Sequence, residues 1–467
     1  MRRRLLIVLW VVLAPSAWGR TLLKWTEPAL PAPKQLGVTE LVIQWDPNAD
    51  ARLKAARAQG YRLFVEAAPD QVEQVVAGSR TSIAGVIVEF AASQLAKADE
   101  ILAKLRAKHP NLTFLLLDPN GKQPNMRGTT VIKREGILEI TSPTAQPWID
   151  SNVPLVRFQE GFHSRQVPLY TFEWDTSDPL RREQGPTAMD YCLAIAEAGA
   201  LHADLVLNVH PALQKRLAAG DPDGWALWKK LLPFLKFTSS PEERSQPEAN
   251  IAVVTNDYDT AYEPMNLMAR HNIPFRVLPA ANLNARTLEG LKILLLFSPL
   301  DPGRAQVVVR FASQGGTAVA VGISGQYPWQ SAPSSRIAER STSYALGRGS
   351  IIELSEPVTD PETFAQDVRR LMKAPNVLLS LWNALTVLGV PYRASATTAL
   401  ELVNYASEPV RVQARLRGSF SSVRIATPEL GCCQTLHAVR RNGFTEFVIP
   451  ELRVGARILL RSIPERR

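Results

Sequence analysis

Six short apolar runs in the first half of the chain each end in a polar or acidic residue. The residues at these ends are Gln44, Glu66, Glu89, Asp118, Glu173 and Asn208. A pair of carboxylic acids can cleave a glycosidic bond when one acid donates a proton and the other acts as nucleophile or base. The two groups stand about 5–5.5 Å apart for retention of configuration and about 6.5–9.5 Å apart for inversion. We therefore treat the four acids Glu66, Glu89, Asp118 and Glu173 as candidate catalytic residues.

Acids in these positions also have a structural interpretation. A carboxylate at the end of a strand can cap the following helix or pair with a neighbouring arginine, and Glu66 and Asp118 stand beside turns that contain proline. Several acids crowded into one partly dry site would instead raise the pKa of at least one of them, as a proton donor requires. Both interpretations stay open for each acid, and Glu173 is the strongest single candidate.

Residues next to the run ends have the chemistry to bind a sugar. Tryptophan rings suit the apolar face of a sugar, and polar side chains at loop height can bind its hydroxyl groups. The candidate substrate-binding residues are Trp45, Asp46, Trp174, Asp175, Asn208 and His210.

The sequence gives no sign of a metal or a cofactor. His163 and His210 have no second histidine at metal-ligand spacing. The chain also lacks a Gly-rich dinucleotide fingerprint and a P-loop. We therefore expect no cofactor and no metal.

The runs and the segments between them indicate a multidomain α/β protein that begins with a (β/α)₈ barrel. Buried parallel strands read as continuous apolar runs, and their carboxyl ends meet at the face where barrel enzymes build their sites. Helical patterns alternate with the runs, and the stretches 137–140 and 155–158 would bring the strand count to eight. Residues 130–140 also read as a hairpin, so a degenerate barrel is the alternative.

The amino terminus predicts export. Arg2, Arg3 and Arg4 precede an apolar stretch and a small-x-small site that ends at Gly19, which is typical of a signal peptide over residues 1–19. We expect a periplasmic or extracellular protein with no membrane span after cleavage.

The net charge of +9 falls to +6 without the three leader arginines, and the other basic residues are scattered, which argues against nucleic acid as a partner. The three cysteines are too few for a disulfide framework.

The rest of the 467-residue chain divides into further units. We predict the barrel over 20–238, a linker over 239–250, a flavodoxin-like α/β unit over 251–376 and a β-sandwich over 377–467. The α/β unit has no cysteine, and Ser324 lacks the spacing of a nucleophile elbow. We expect that unit to serve packing or the assembly of a homo-oligomer, and the sandwich to support the barrel.

The order of these parts resembles glycoside hydrolase family 42 β-galactosidases and related hypothetical glycoside hydrolases. The fragments VPLYTFEWD (167–175) and LWNALTVLGVPYR (381–393) contribute to the resemblance. It implies a carbohydrate substrate and an α/β unit similar to class I glutamine amidotransferases. The family carries its nucleophile at the end of the seventh strand and its acid/base after an Asn at the end of the fourth. Counting strands puts Glu173 at the seventh end and Asp118 at the fourth, where Leu117 replaces the Asn.

Three hypotheses follow. The first is an exported glycoside hydrolase, retaining if Glu173 pairs with Asp118. The second is a carbohydrate-binding pseudoenzyme, favoured by the missing Asn-Glu pair and the shortened middle of the barrel. The third is a structural envelope protein that assembles through the α/β unit.

Overall fold

The computed structural model describes residues 19–46, 49–79, 83–122, 151–174, 185–239, 246–394 and 397–463. Within these ranges the chain forms a parallel barrel, a mixed α/β sheet and a pair of antiparallel sheets. None of the helices in these ranges is long and apolar enough to cross a membrane.

The barrel contains seven parallel strands in the described part of the chain. They are β1 (Thr21–Lys24), β2 (Glu40–Gln44), β3 (Arg62–Ala67), β4 (Gly85–Glu89), β5 (Thr113–Leu117), β6 (Leu169–Phe172) and β7 (Asp204–Asn208). Their order in the sheet is β5-β4-β3-β2-β1-β7-β6, so β5 and β6 are the two edges of a nearly closed barrel.

This count corrects the predicted strands in two places. Residues 155–158 are not a strand but part of a helix, Val153–Phe162. Strand β1, directly after the predicted leader, was not predicted. As a result Glu89, and not Asp118, ends the fourth strand, and Asp118 follows the fifth. The stretch 137–140 and the predicted hairpin at 130–140 lie outside the described residues.

Helices cover the outside of the barrel. They are α1 (Pro33–Leu36), α2 (Ala49–Ala58), α3 (Val72–Ser79), α4 (Ala98–Lys108), α5 (Val153–Phe162), α6 (Ala188–Ala200), α7 (Pro211–Ala218) and α8 (Pro222–Thr238). Short 3₁₀ turns lie at Ala92–Lys97 and Pro119–Lys122. The helices bury one face of each strand, and the other face points into the barrel.

The barrel interior is filled in layers, as is usual for parallel barrels. The middle layer is an apolar cluster formed by Leu22, Val42, Phe64, Ile87, Leu115, Leu117, Leu169 and Val206. Because strand side chains alternate with a period of two, residues two positions before or after this layer also face inward. The inward residues toward the carboxyl ends are Lys24, Gln44, Glu66, Glu89 and Asn208. Those toward the amino ends are Arg20, Glu40, Arg62 and Asp204.

A side chain completes the barrel between its two edge strands. Gln159 of α5 is 3% exposed, and its Oε1 accepts the backbone N–H of Leu169 in β6 at 3.0 Å. Its Nε2 donates to the Leu169 carbonyl at 3.2 Å and to Asp118 Oδ2 at 2.7 Å. The amide of Gln159 therefore satisfies the two backbone groups that a neighbouring strand would otherwise pair.

The α/β unit has a seven-stranded mixed sheet with order β10-β9-β11-β12-β15-β14-β13. Its strands are β9 (Ile251–Val254), β10 (Arg276–Leu278), β11 (Ile293–Leu296), β12 (Thr317–Val321), β13 (Ser334–Ala338), β14 (Ser341–Leu346) and β15 (Gly349–Leu354). The first four and β15 are parallel, and β13 and β14 form an antiparallel extension. Its helices are α9 (Tyr258–Arg270), α10 (Pro302–Ser313) and α11 (Pro361–Leu371).

The carboxy-terminal unit consists of two antiparallel sheets around an apolar core, as predicted. One sheet contains β16 (Leu379–Trp382), β19 (Val410–Arg417), β22 (Ala438–Arg441) and β23 (Phe444–Leu452). The other contains β17 (Val387–Arg393), β18 (Thr397–Asn404), β20 (Phe420–Thr427), β21 (Gly431–Thr435) and β24 (Gly455–Ser462), with β8 (Gln246–Pro247) at its edge.

Buried polar contacts join the three units. Glu197 of α6 is fully buried and accepts hydrogen bonds from Asn152 and from Tyr405, which follows β18. Gly161 of α5 lies so close to β10 that an added Cβ would stand 2.5 Å from the Val277 carbonyl oxygen. Helix α5 therefore connects the barrel to the α/β unit through a contact that only glycine permits.

Candidate active site

The inward residues at the carboxyl ends of the strands form one mouth, as the apolar runs predicted. Lys24 lies opposite Asn208 in the sheet, and Gln44 lies opposite Glu66. Phe172 lies opposite Leu207, so the register places Glu173 beside Asn208 at the same edge. The barrel thus brings Glu66, Glu89 and Glu173 to a common face.

Glu66 is held by an ion pair inside the mouth. Its side chain is 2% exposed, and its Oε2 lies 2.7 Å from Lys24 Nζ. Lys24 also donates to Gln44 Oε1 at 3.3 Å. This ion pair gives Glu66 a structural partner inside the mouth.

Asp118 lies on the other side of its strand. Leu117 faces the interior cluster, so Asp118 faces outward, where it accepts hydrogen bonds from Gln159 and from the Gly121 backbone N–H at 2.9 Å. Burial raises the pKa of Asp118 above its ordinary range, and the hydrogen bonds from Gln159 and Gly121 oppose that rise only in part. The structure does not bring Asp118 into the mouth with the other three acids.

Glu89 and Glu173 are the two acids that remain in the mouth. Glu89 ends β4 and is partly buried, and Glu173 directly follows β6 and is exposed. Around the barrel, the strands β4 and β6 are separated by β5 and by the narrow gap between the edge strands β5 and β6. Glu173 makes no hydrogen bond or ion pair with any residue in the described ranges.

The two predicted tryptophans both follow strand ends at this edge of the barrel. Trp45 follows β2 and Trp174 follows Glu173, and both are partly buried against the main core. The edge of the Trp45 ring lies over Gly78 of α3, where an added Cβ would stand 3.4 Å away. Asp46, next to Trp45, forms an ion pair with Arg52 of α2. Asp175 lies outside the described residues.

His210 begins helix α7 at the same edge. Its Nδ1 accepts the Ala212 backbone N–H at 3.3 Å, and its own backbone N–H donates to Tyr191 Oη at 2.9 Å. In the neutral form, this contact places the ring proton on Nε2, which makes His210 a hydrogen-bond donor. Asn208, two residues earlier, is partly buried at the end of β7.

Lys24 is a residue of the mouth that was not among the predicted site residues. Residues 21–25 read Thr-Leu-Leu-Lys-Trp, an apolar run that ends in a polar residue and a tryptophan, like residues 41–45. The same sequence signal was therefore present, but it directly follows the apolar stretch of the predicted leader, which made it hard to recognise as a separate strand. No group of three or more His, Cys, Asp or Glu that could hold a metal occurs among the described residues.

Comparisons with solved structures show the fold. The α-L-fucosidase isoenzyme 2 from Paenibacillus thiaminolyticus superposes with a TM-score of 0.62 at 10% sequence identity, over 96% of this chain and 100% of that one. The polyextremophilic β-galactosidase from Halorubrum lacusprofundi gives a TM-score of 0.56 at 10% identity, over 95% and 99%. The β-galactosidase from Bacillus circulans sp. alkalophilus gives 0.50 at 12%, over 89% and 67%.

No protein-family model and no curated protein matches the sequence. At identities near 10% the structural likeness shows the fold alone. Because it extends over all three units, the chain has the three-part fold of the glycoside hydrolase family 42 type.

Proposed function

We propose that the chain is an exported glycoside hydrolase that cleaves an O-glycosidic bond with Glu173 and Glu89. The observation that carries the proposal is the separation of the four candidate acids into two kinds. Glu66 is paired with Lys24 and Asp118 faces away from the mouth, whereas Glu89 and Glu173 stand at the mouth on opposite sides of β5. The shared fold with glycoside hydrolases supports a carbohydrate substrate.

The roles follow from the positions of the strands. Glu173 follows β6, and the next strand, β7, pairs with β1. Glu173 therefore lies at the next-to-last strand end of the described barrel, and Glu89 lies at the fourth strand end. These are the positions at which family 42 enzymes carry nucleophile and acid/base. With β1 included in the count, the resemblance assigns the acid/base role to Glu89 in place of Asp118. Val88 stands where the family has Asn.

In this mechanism the Glu173 carboxylate attacks the anomeric carbon while Glu89 donates its proton to the leaving oxygen. The resulting glycosyl ester breaks when Glu89, now a carboxylate, takes a proton from a water molecule that attacks the same carbon. Two displacements retain the configuration. Trp45 and Trp174 would bind the faces of the sugar rings, and Asn208 and His210 would bind hydroxyl groups.

Hydrolysis of a panel of aryl glycosides and polysaccharides tests the proposal. We expect turnover by the wild type, a loss of about a thousandfold or more in kcat for Glu173→Gln and Glu89→Gln, and no change for the exposed control Glu339→Gln. Azide should restore turnover by Glu173→Ala, because a small anion can replace the missing nucleophile. The product should then be a glycosyl azide of inverted configuration. Full activity in Glu173→Gln would contradict the assignment.

The export part of the proposal depends on the leader. A cleaved signal leaves a mature protein that begins at Arg20, the residue before β1. Amino-terminal sequencing of the protein recovered outside the cytoplasm of a bacterial host tests this part separately. A protein that keeps Met1 and stays in the cytoplasm would contradict it.

A carbohydrate-binding pseudoenzyme is the second candidate. The observation that favours it is the use of Glu66 and Asp118 in structural contacts. Calorimetric binding of a sugar without turnover, lost in Trp45→Ala and Trp174→Ala, would support this candidate over the hydrolase.

A further inference from the structure

A large cavity opens at the amino ends of the barrel strands, opposite the mouth. Its volume is about 790 Å³, and residues of β1, β2, β3 and β5 line it together with the ends of α4 and α8. We call it the floor cavity. It is separated from the mouth by the apolar middle layer, so it is not part of the site already described.

Four arginines and one acid line the floor cavity. The arginines are Arg20, Arg62, Arg106 and Arg165, and the acid is Glu40. Glu40 Oε1 lies 2.7 Å from Arg62 Nη1 and 3.7 Å from Arg20 Nη1. Asp204 forms a second, closer pair with Arg20 at 2.5 Å. The two carboxylates therefore compensate the charges of Arg20 and Arg62.

The other two arginines form no close ion pair. Arg106 donates to the Phe114 carbonyl at 2.7 Å and to Gln166 Oε1 at 2.5 Å, both neutral acceptors. No carboxylate lies within 4 Å of its guanidinium among the described residues. Burial lowers the pKa of Arg106, and the charge of Asp99, which accepts a hydrogen bond from Gln166 Nε2 at 3.1 Å, opposes this change only in part.

Arg165 stands next to Gln166, the partner of Arg106, and is exposed. It makes no hydrogen bond or ion pair with any residue that the structure describes. Arg106 and Arg165 therefore both line the cavity without a carboxylate at ion-pair distance among the described residues. Two such groups have the geometry to bind an oxyanion in a bidentate manner.

Apolar residues also line the floor cavity. Val38, Leu112, Phe114 and Leu235 line the cavity, and its size exceeds that of a simple inorganic ion. A ligand that fills it gains from burial of an apolar body as well as from charge pairing.

We propose that the floor cavity binds an organic anion, with its oxyanion group held by Arg106 and Arg165 and its apolar body against Phe114 and Leu112. Carboxylates, sulfonates and phosphate monoesters share this chemistry. The proposal concerns a binding site separate from the mouth, and it holds whether or not the mouth hydrolyses a glycoside.

Fluorescence titration with 8-anilinonaphthalene-1-sulfonate tests the proposal, because this probe combines a sulfonate with an apolar body. We expect saturable binding of one probe per chain to the purified wild-type protein. Arg165→Gln should weaken binding by about tenfold, since it removes one charged hydrogen-bond donor. Arg286→Gln removes an exposed arginine from the α/β unit and serves as a control with the same change in net charge. Competition by benzoate, inorganic sulfate and phenyl phosphate then ranks the oxyanion groups.

Three outcomes would overturn the proposal. They are equal binding by wild type and Arg165→Gln, an equal loss in Arg286→Gln, and equal binding of the uncharged analogue N-phenyl-1-naphthylamine. Arg165 makes no described contact, so this variant should fold, and its unchanged melting temperature confirms that a loss of binding is local. Arg106→Gln provides a second variant, with an expected loss of similar size.

Discussion

At the scale of single residues, the inward or outward direction of a side chain decides the role of each acid. Glu66 and Asp118 both end apolar runs. Glu66 faces the mouth and forms an ion pair with Lys24, whereas Asp118 faces α5 and accepts a hydrogen bond from Gln159. The sequence shows the run ends and the acids. It does not show these partners, because Lys24 lies in a strand that is distant in sequence and Gln159 lies in a helix that resembles a strand.

Asp118→Asn tests the structural role of that acid. Its new NH₂ group would face the donor Gln159 Nε2, so we expect a loss of about 1–3 kcal/mol in the free energy of unfolding. Folding raises the pKa of Asp118, so the wild-type carboxyl contributes stability below its unfolded pKa, near 3.8, and loses it as the pH rises through the folded pKa. The difference between wild type and variant in urea denaturation should therefore be larger at pH 4 than at pH 7.

Turnover separates this role from catalysis. On any glycoside that the wild type hydrolyses, kcat of Asp118→Asn at 25 °C should stay within about tenfold of wild type, well short of the loss expected for a general acid. A thousandfold loss in a folded variant would restore Asp118 as the acid/base.

At the scale of elements, most barrel strands could be predicted because buried parallel strands are continuous apolar runs. Strand β1 was not predicted because it has four residues and directly follows the predicted leader. Residues 155–158 were taken for a strand because a short apolar run does not distinguish a strand from a buried helix, although Pro154 at the first turn of α5 favours the helix. The absence of β1 from the predicted count moved the fourth-strand acid from Glu89 to Asp118, and the supposed strand at 155–158 affected only the count after Asp118.

The closure of the barrel by Gln159 leads to a prediction about β6. Gln159→Ala leaves the buried N–H and C=O of Leu169 without partners, and we expect a loss of roughly 2–4 kcal/mol in stability. The exposed Gln306→Ala on α10 is the matched control, with a change within about 0.5 kcal/mol. Hydrogen exchange should be faster at the Leu169 amide in Gln159→Ala and unchanged in the control. Unchanged exchange at Leu169 would show that other contacts close the barrel.

At the scale of the whole molecule, buried polar groups fix the barrel against the sandwich. His202 of the barrel stacks on Tyr392 with 3.8 Å between ring centres, and Arg157 of α5 donates to Tyr392 Oη at 2.9 Å. Glu401 of β18 lies 3.9 Å from His202 Nε2 and 2.5 Å from Arg457 Nε. The order of the units could be predicted from composition and turn patterns. This junction could not, because its residues are up to 300 positions apart and none belongs to a local motif.

The junction makes the protein sensitive to acid through Glu401. Burial alone would raise the pKa of Glu401, but Arg457 and His202 outweigh it and bring the pKa below its ordinary value of 4.5. A carboxylate with a lowered folded pKa contributes stability above its unfolded pKa, and this contribution is lost as the pH falls through the folded pKa.

At pH 7, Glu401→Gln leaves Arg457 buried without its counter-ion, so we expect a loss of about 3–5 kcal/mol in the free energy of unfolding. In urea denaturation between pH 7 and pH 3 the difference from wild type should shrink below about pH 4.5. Glu451→Gln, which breaks the exposed pair with Arg453, should cost less than about 1 kcal/mol throughout. A difference for Glu401→Gln that stays constant to pH 3 would mean that the junction is held by its stacked rings and not by the ion pair.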